Sequence, residues 1–181
     1  MNQGDNNQHE GEALSFCGAT SSDCEKDREA SAVRHALRLI AYYQGMRDHS
    51  EKELKEKLAR RQFGFSEIET ALHQAKQYNW ILPPEELAQK VGAILSRQLK
   101  SYLFICRALK LKGLPQIERD STLEVQKILS LMEKKHINKK IDFQVKQKIF
   151  RQLSQKGFDL ESIREAYQIL SRREQERGNE T

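Results

Sequence analysis

The side chains of this chain that could do chemistry are scattered, and their spacing supports no reaction centre. The five histidines, His9, His35, His49, His73 and His136, fall into no HExxH or HxH pattern. No two imidazoles are therefore set on one helix face to hold a metal. Cys17, Cys24 and Cys106 form no CxxC and have no histidine close by, which argues against zinc and against a disulfide framework. Cys106 stands among apolar residues and is expected in a core. No Walker-type phosphate loop occurs, so nucleotide hydrolysis is not implied. No paired carboxylates share an apolar context that would split their pKa values into an acid and a base. The chain is expected not to be an enzyme and to need no cofactor.

What remains is charge. Leu87–Ile117 carries Lys90, Arg97, Lys100, Arg107, Lys110 and Lys112 and no acid. Such a stretch attracts phosphate backbones and releases their counterions, or docks on an acidic protein groove. Tyr102 and Phe104 interleave with these cations and could stack on bases. The plainer reading puts Phe104, Ile105 and Leu109 in a core, with the cations on its wet face. A second basic group comprises Lys134, Lys135, Lys139, Lys140, Lys146, Lys148 and Arg151. The candidate partner- or DNA-binding residues are Arg97, Lys100, Arg107, Lys110, Lys112, Lys134, Lys135, Lys148 and Arg151.

The whole chain supports a basic body. Its 181 residues hold 31 Lys+Arg and 26 Asp+Glu, a net charge of +5. Residues 1–29 hold seven acids and two bases, so the body after them is more basic than the total suggests. Residues 1–28 lack apolar periodicity and are expected to be a disordered acidic leader. They have no basic n-region or apolar stretch of a signal peptide, and no run in the chain is long enough to span a membrane. A cytoplasmic, monomeric protein is expected.

The elements that must position these charges are helices. A pattern occurs twice, 95 positions apart, in ELKEKLARRQFGFSEIETAL and KIFRQLSQKGFDLESIREAY. It pairs Leu54 with Ile149, Leu58 with Leu153, Phe63 with Phe158, Ile68 with Ile163, Ala71 with Ala166 and Leu72 with Tyr167. A partial third copy has Ile105, Leu109, Lys112 and Leu114. Each copy reads as a helix, a turn at the Phe, then a second helix. Self-similar helical units stack to share a core and usually present a surface. The spacing predicts helices over Ala30–Tyr43, from Ser50, from Ser66 to near Trp80, and over Glu85–Leu99 and Tyr102–Lys112. It predicts three more over Thr122–His136, Phe143–Lys156 and Leu160–Glu176. Three S-x-x-E capping boxes, Ser50/Glu53, Ser66/Glu69 and Ser121/Glu124, are expected to start helices. Phe63 and Phe158 are expected to be equivalent anchors, and Trp80 to plug the core at the end of the first unit. The fold class is all-α, an elongated array of tandem three-helix repeats with the middle one shortened. The expected units are 29–82, 83–120 and 121–177.

Ser50-Glu51-Lys52-Glu53-Leu54, followed by Lys57-Leu58 and Phe63, resembles the opening repeat of the RecX family of recombination regulators. Lys134-Lys135, Lys148-Ile149-Phe150-Arg151-Gln152-Leu153, Gly157-Phe158 and Ile163-Arg164-Glu165-Ala166 resemble its last repeat. The middle departs. Pro83-Pro84-Glu85-Glu86-Leu87-Ala88 replaces an Asp-Asp-x-Arg-Phe-Ala stretch, and Leu99-Lys100-Ser101-Tyr102 replaces a Gly-x-Gly-Pro-like turn. The segment after Leu114 is about one helix short. The resemblance implies a curved array of three-helix repeats that binds the RecA recombinase and modulates, usually inhibits, its nucleoprotein filament without catalysis or cofactor. Direct contact with single- or double-stranded DNA is open. Two other readings fit the residues, a general helical DNA-binding protein and a protein-only scaffold.

Overall fold

A computed structural model describes residues 21–134 and 143–179, and every regular element among them is a helix. In order these are α1 (Ser21–Met46), α2 (Glu51–Ala59), α3 (Phe65–Gln77), α4 (Pro84–Arg97), α5 (Tyr102–Leu111), α6 (Ser121–Lys134), α7 (Phe143–Gln155) and α8 (Leu160–Asn179).

Three apolar clusters organise them. Val33, Ala36 and Ile40 of α1 meet Leu54 and Leu58 of α2 and Ile68, Ala71, Leu72 and Ala75 of α3. Leu87 and Ala88 of α4 meet Ile105 and Leu109 of α5, closed by Leu114. Val125, Ile128, Leu129 and Met132 of α6 meet Ile149 and Leu153 of α7, Phe158, and Ile163 and Ala166 of α8. The i, i+3, i+4 spacing of these residues is what puts them on one stripe of each helix. Burying each large aliphatic side chain contributes about 1.5–3 kcal/mol. No third helix completes the middle cluster. A connector, 115–120, runs there instead, pinned where the Tyr102 hydroxyl donates to the Ile117 carbonyl and where Arg119 pairs with Asp159.

The same helix exit recurs in all three units. The amides of Phe63, Leu114 and Phe158 donate to the carbonyls of Leu58, Leu109 and Leu153. The residue before each has a positive φ: Gln62 at 64°, Gly113 at 68° and Gly157 at 85°. Phe158 is buried and Phe63 is half-buried beside His35, so the two anchors share a position but not a depth. Leu99, standing where the resembled turn has its first glycine, is also left-handed, with φ 58°.

Several expectations need correction. α1 begins at Ser21, so residues 21–28 of the expected leader are helical; residues 1–20 lie outside the described residues. Glu25, Lys26 and Arg28 there are good helix formers and need no apolar stripe, and one turn on the Ser66 hydroxyl donates to Glu29 at 2.8 Å. Only the Ser50/Glu53 box forms as expected. Ser66 lies inside the first turn of α3: Gly64 is the N-cap and its amide donates to Glu67 at 2.7 Å. At α6 it is Asp120 that accepts from the Leu123 amide, not Ser121. Glu and Ser are common enough in first turns that S-x-x-E also occurs out of register. Trp80 is 42% exposed, tilted against Tyr78 with ring centroids 5.2 Å apart. It follows the left-handed Asn79, which turns the chain out of the helix axis. Cys106 is half-buried, and Phe104 is 43% exposed, neither fully in the core.

Candidate partner-binding surface

Two junctions set the relative placement of the cations. Ser50 caps α2, and its hydroxyl also donates to the Lys112 carbonyl at 2.6 Å. Ser101 caps α5, and its hydroxyl donates to the Lys156 carbonyl at 2.7 Å. The N-terminal end of α2 therefore meets the C-terminal end of α5, and that of α5 meets that of α7. Each serine satisfies two orphan groups, an amide of its own helix and a carbonyl of the next unit.

Charge partners follow the same junctions. Lys112 Nζ lies 2.6 Å from Glu53, which also accepts from Arg47 at 3.1 Å and from the Ser50 amide at 3.0 Å. Burial raises the Glu53 pKa, but these donors outweigh it and hold the carboxyl at about 2, well below its usual 4.5. Lys112 is thus tied into an ion pair across the junction, which sets it apart from the other candidates. Lys90 pairs with Asp48. At the second junction Glu124 accepts from the Tyr102 amide at 3.1 Å and from Lys127 at 2.7 Å, both side chains buried. The acid-free stretch therefore receives its acids from other elements.

The remaining candidates separate into places. Arg97 is exposed at the end of α4, its Nε donating to its own helix at Ala93. Lys100, Phe104 and Arg107 line a groove of about 340 Å³ with Lys156, Gly157 and Phe158 from the last unit. Lys100 Nζ lies 5.0 Å from the centre of the Phe104 ring, a cation–π contact. Lys110 is exposed one turn along α5 from Arg107. Lys134 is exposed at the end of α6, and Lys148 and Arg151 are exposed on α7. Lys135 lies outside the described residues, as do Lys139, Lys140 and His136. The structure brings Lys100 and Arg107 together and sets Arg151 apart on the last unit. Two further cations line grooves without being among the candidates, Lys156 beside Lys100 and Arg107, and Arg164 beside Arg151. Aligning the repeats by charge would have exposed Arg164, which stands where the first copy has Glu69.

Among the described residues no helix is long and apolar enough to cross a membrane. Linked helical units, each with its own apolar cluster and with cations exposed on several helices, define an all-helical repeat protein. Known proteins place it further. Residues 123–167 match the model of the third three-helix domain of RecX. Regulatory protein RecX of Chlorobaculum tepidum is 31% identical over 162 residues, covering 86% of this chain and 98% of the relative. The crystal structure of RecX from Lactobacillus salivarius shares the fold, with a TM-score of 0.69 at 20% identity, covering 78% of this chain and 98% of that one. The chain belongs to the RecX family of regulatory proteins.

Proposed function

We propose that this chain binds the RecA recombinase and inhibits its nucleoprotein filament, acting as a monomer in the cytoplasm. The observation that carries the reading is the match to a regulatory protein RecX over 98% of that protein's length. The surface supports it. Arg107 and Lys110 on α5, and Lys148 and Arg151 on α7, are exposed on two helices joined end to end through Ser101 and Lys156. Cations on linked rigid elements suit a polyanionic filament better than a small ligand, because their fields add along its length. The exposed Phe104 ring beside Lys100 favours a second reading, in which the same groove touches single-stranded DNA directly.

The decisive experiment measures DNA-dependent ATP hydrolysis by RecA with substoichiometric amounts of this chain. Inhibition is expected, and Arg107→Glu with Lys110→Glu should weaken it by about tenfold or more, the scale of one or two lost charge-assisted contacts. Unchanged hydrolysis at equimolar protein overturns the reading. Strongly salt-dependent DNA binding without an effect on RecA would leave a general DNA-binding protein. Indifference to both would leave a scaffold.

A further inference from the structure

We propose that the groove between α7 and α8 is a docking site for an acidic amphipathic helix of a protein partner. The proposal does not depend on the recombinase being that partner. The groove has a volume of about 770 Å³; Lys146, Arg151 and Arg164 supply its charge, and Phe150 and Tyr167 its apolar floor. Its α7 wall runs from Lys146 to Ser154, a span of ~12 Å at the rise of an α-helix, or about two turns.

The repeat itself identifies the missing chemistry. Shifted by 95 positions, Lys146 corresponds to Glu51, Phe150 to Lys55 and Arg164 to Glu69. On the first unit this face is closed by its own ion pairs. Lys55 lies 2.7 Å from Glu69 and 3.2 Å from Glu51, and Lys76 lies 2.7 Å from Glu51. On the last unit both carboxylates have become cations, and the lysine between them has become a phenylalanine. Lys146, Arg151 and Arg164 have no carboxylate within ion-pair distance among the described residues. The same scaffold that satisfies its cations internally at one end therefore leaves room for external carboxylates at the other. Two of the three cations are arginines, which bind carboxylates bidentately.

Charge alone would equally admit a nucleic acid, but the floor favours a helix. Phe150 and Tyr167 pack against the third core, and the Tyr167 hydroxyl donates to the Lys146 carbonyl at 3.3 Å. Burial also pushes the Tyr167 pKa up, holding the ring neutral. Rings held this way cannot open to sandwich a base, whereas they offer apolar surface to side chains from a helix lying between two helices.

The test is fluorescence anisotropy on the full chain, with a labelled amphipathic peptide of about 14 residues carrying Leu at i, i+3, i+4 and i+7 and Glu on its flanks. A scrambled peptide of equal composition and an oligo(dT) strand are the comparisons. The ordered peptide should bind at least about tenfold tighter than the scrambled one, and Lys146→Glu with Arg164→Glu should remove about tenfold or more. Phe150→Lys with Arg164→Glu rebuilds the Lys55–Glu69 pair and should abolish binding while circular dichroism stays unchanged. If that variant unfolds, the Lys146/Arg164 double change, confined to exposed side chains, still decides. Equal binding of the scrambled peptide overturns the proposal, as does tighter oligo(dT) binding through these residues. Indifference to the substitutions does so too.

Discussion

At the residue scale, three equivalent positions show how one backbone demand is met by different side chains. Gln62, Gly113 and Gly157 all have positive φ. A Cβ on Gly113 would lie 3.1 Å from Lys52, and one on Gly157 would lie 3.0 Å from the Ser101 hydroxyl. Both neighbours belong to the preceding unit. Gln62 belongs to the first unit, is exposed, and tolerates a side chain. Gly157→Ala should therefore cost at least about 2 kcal/mol, the left-handed penalty of roughly 1–2 kcal/mol plus the contact. Gln62→Gly should stabilise by about 0.5–1 kcal/mol, since relief of that penalty exceeds the unfolded-state entropy a glycine adds. Urea midpoints measure both. The Phe63–Phe158 pairing was legible in the sequence because apolar spacing records burial. The exposure of Trp80 was not, because it depends on the left-handed Asn79 two residues after the end of α3. An Asn is a common left-handed helix stop, but it does not tell which way the side chain after it will face. For Phe158→Ala, a loss of about 3–5 kcal/mol is expected, with a smaller loss for the half-buried Phe63.

At the element scale, helix ends explain most of what the sequence left hidden. α2 carries Glu51 and Glu53 in its first turn, whereas α5 has no acid there. Glu124 of α6 supplies the missing carboxylate to the Tyr102 amide, while Lys127 balances its charge. A window along the chain shows only an acid-free stretch, since the acids that complete it arrive from 22 residues away for Tyr102 and 59 for Lys112. Glu124→Ala leaves Lys127 buried without a partner and should cost about 3–5 kcal/mol. Glu124→Gln with Lys127→Met retains an acceptor for Tyr102, removes both charges, and should recover at least half of that loss. The Glu53 carboxylate has a sign of its own. Its pKa is depressed in the folded chain, so its contribution is complete above the ordinary value of 4.5 and is lost as pH falls towards about 2. Urea midpoints measured across that window should fall in the native chain and fall less in Glu53→Gln.

At the scale of the whole molecule, three separate cores must behave as one protein. Among the described residues few polar links join them: the serine hydroxyls at Ser50 and Ser101, the Glu53–Lys112 and Lys90–Asp48 pairs, the Glu124 contact and the contacts of Arg119 with Asp159 and Ser162. In an array whose units touch mainly their neighbours, stability is the sum of unit and junction terms, and a weakened junction lets a terminal unit melt alone. The apolar repeat made the units legible in advance, because cores are local and periodic. The junctions were not, because each joins a cap to a carbonyl 55 or 62 residues away with no periodic signal. The chain's single tryptophan, Trp80, lies just after α3 and reports the first unit, while far-UV circular dichroism reports helix in every unit, α1 to α8 among the described residues. In the native chain the two thermal transitions should coincide. Ser101→Ala with Arg119→Ala removes two links to the last unit without touching its core. Circular dichroism should then show an early partial transition that tryptophan fluorescence does not share. If both signals move together by the same amount, the junction hydrogen bonds contribute stability but not coupling, and the units are held together through their apolar contacts instead.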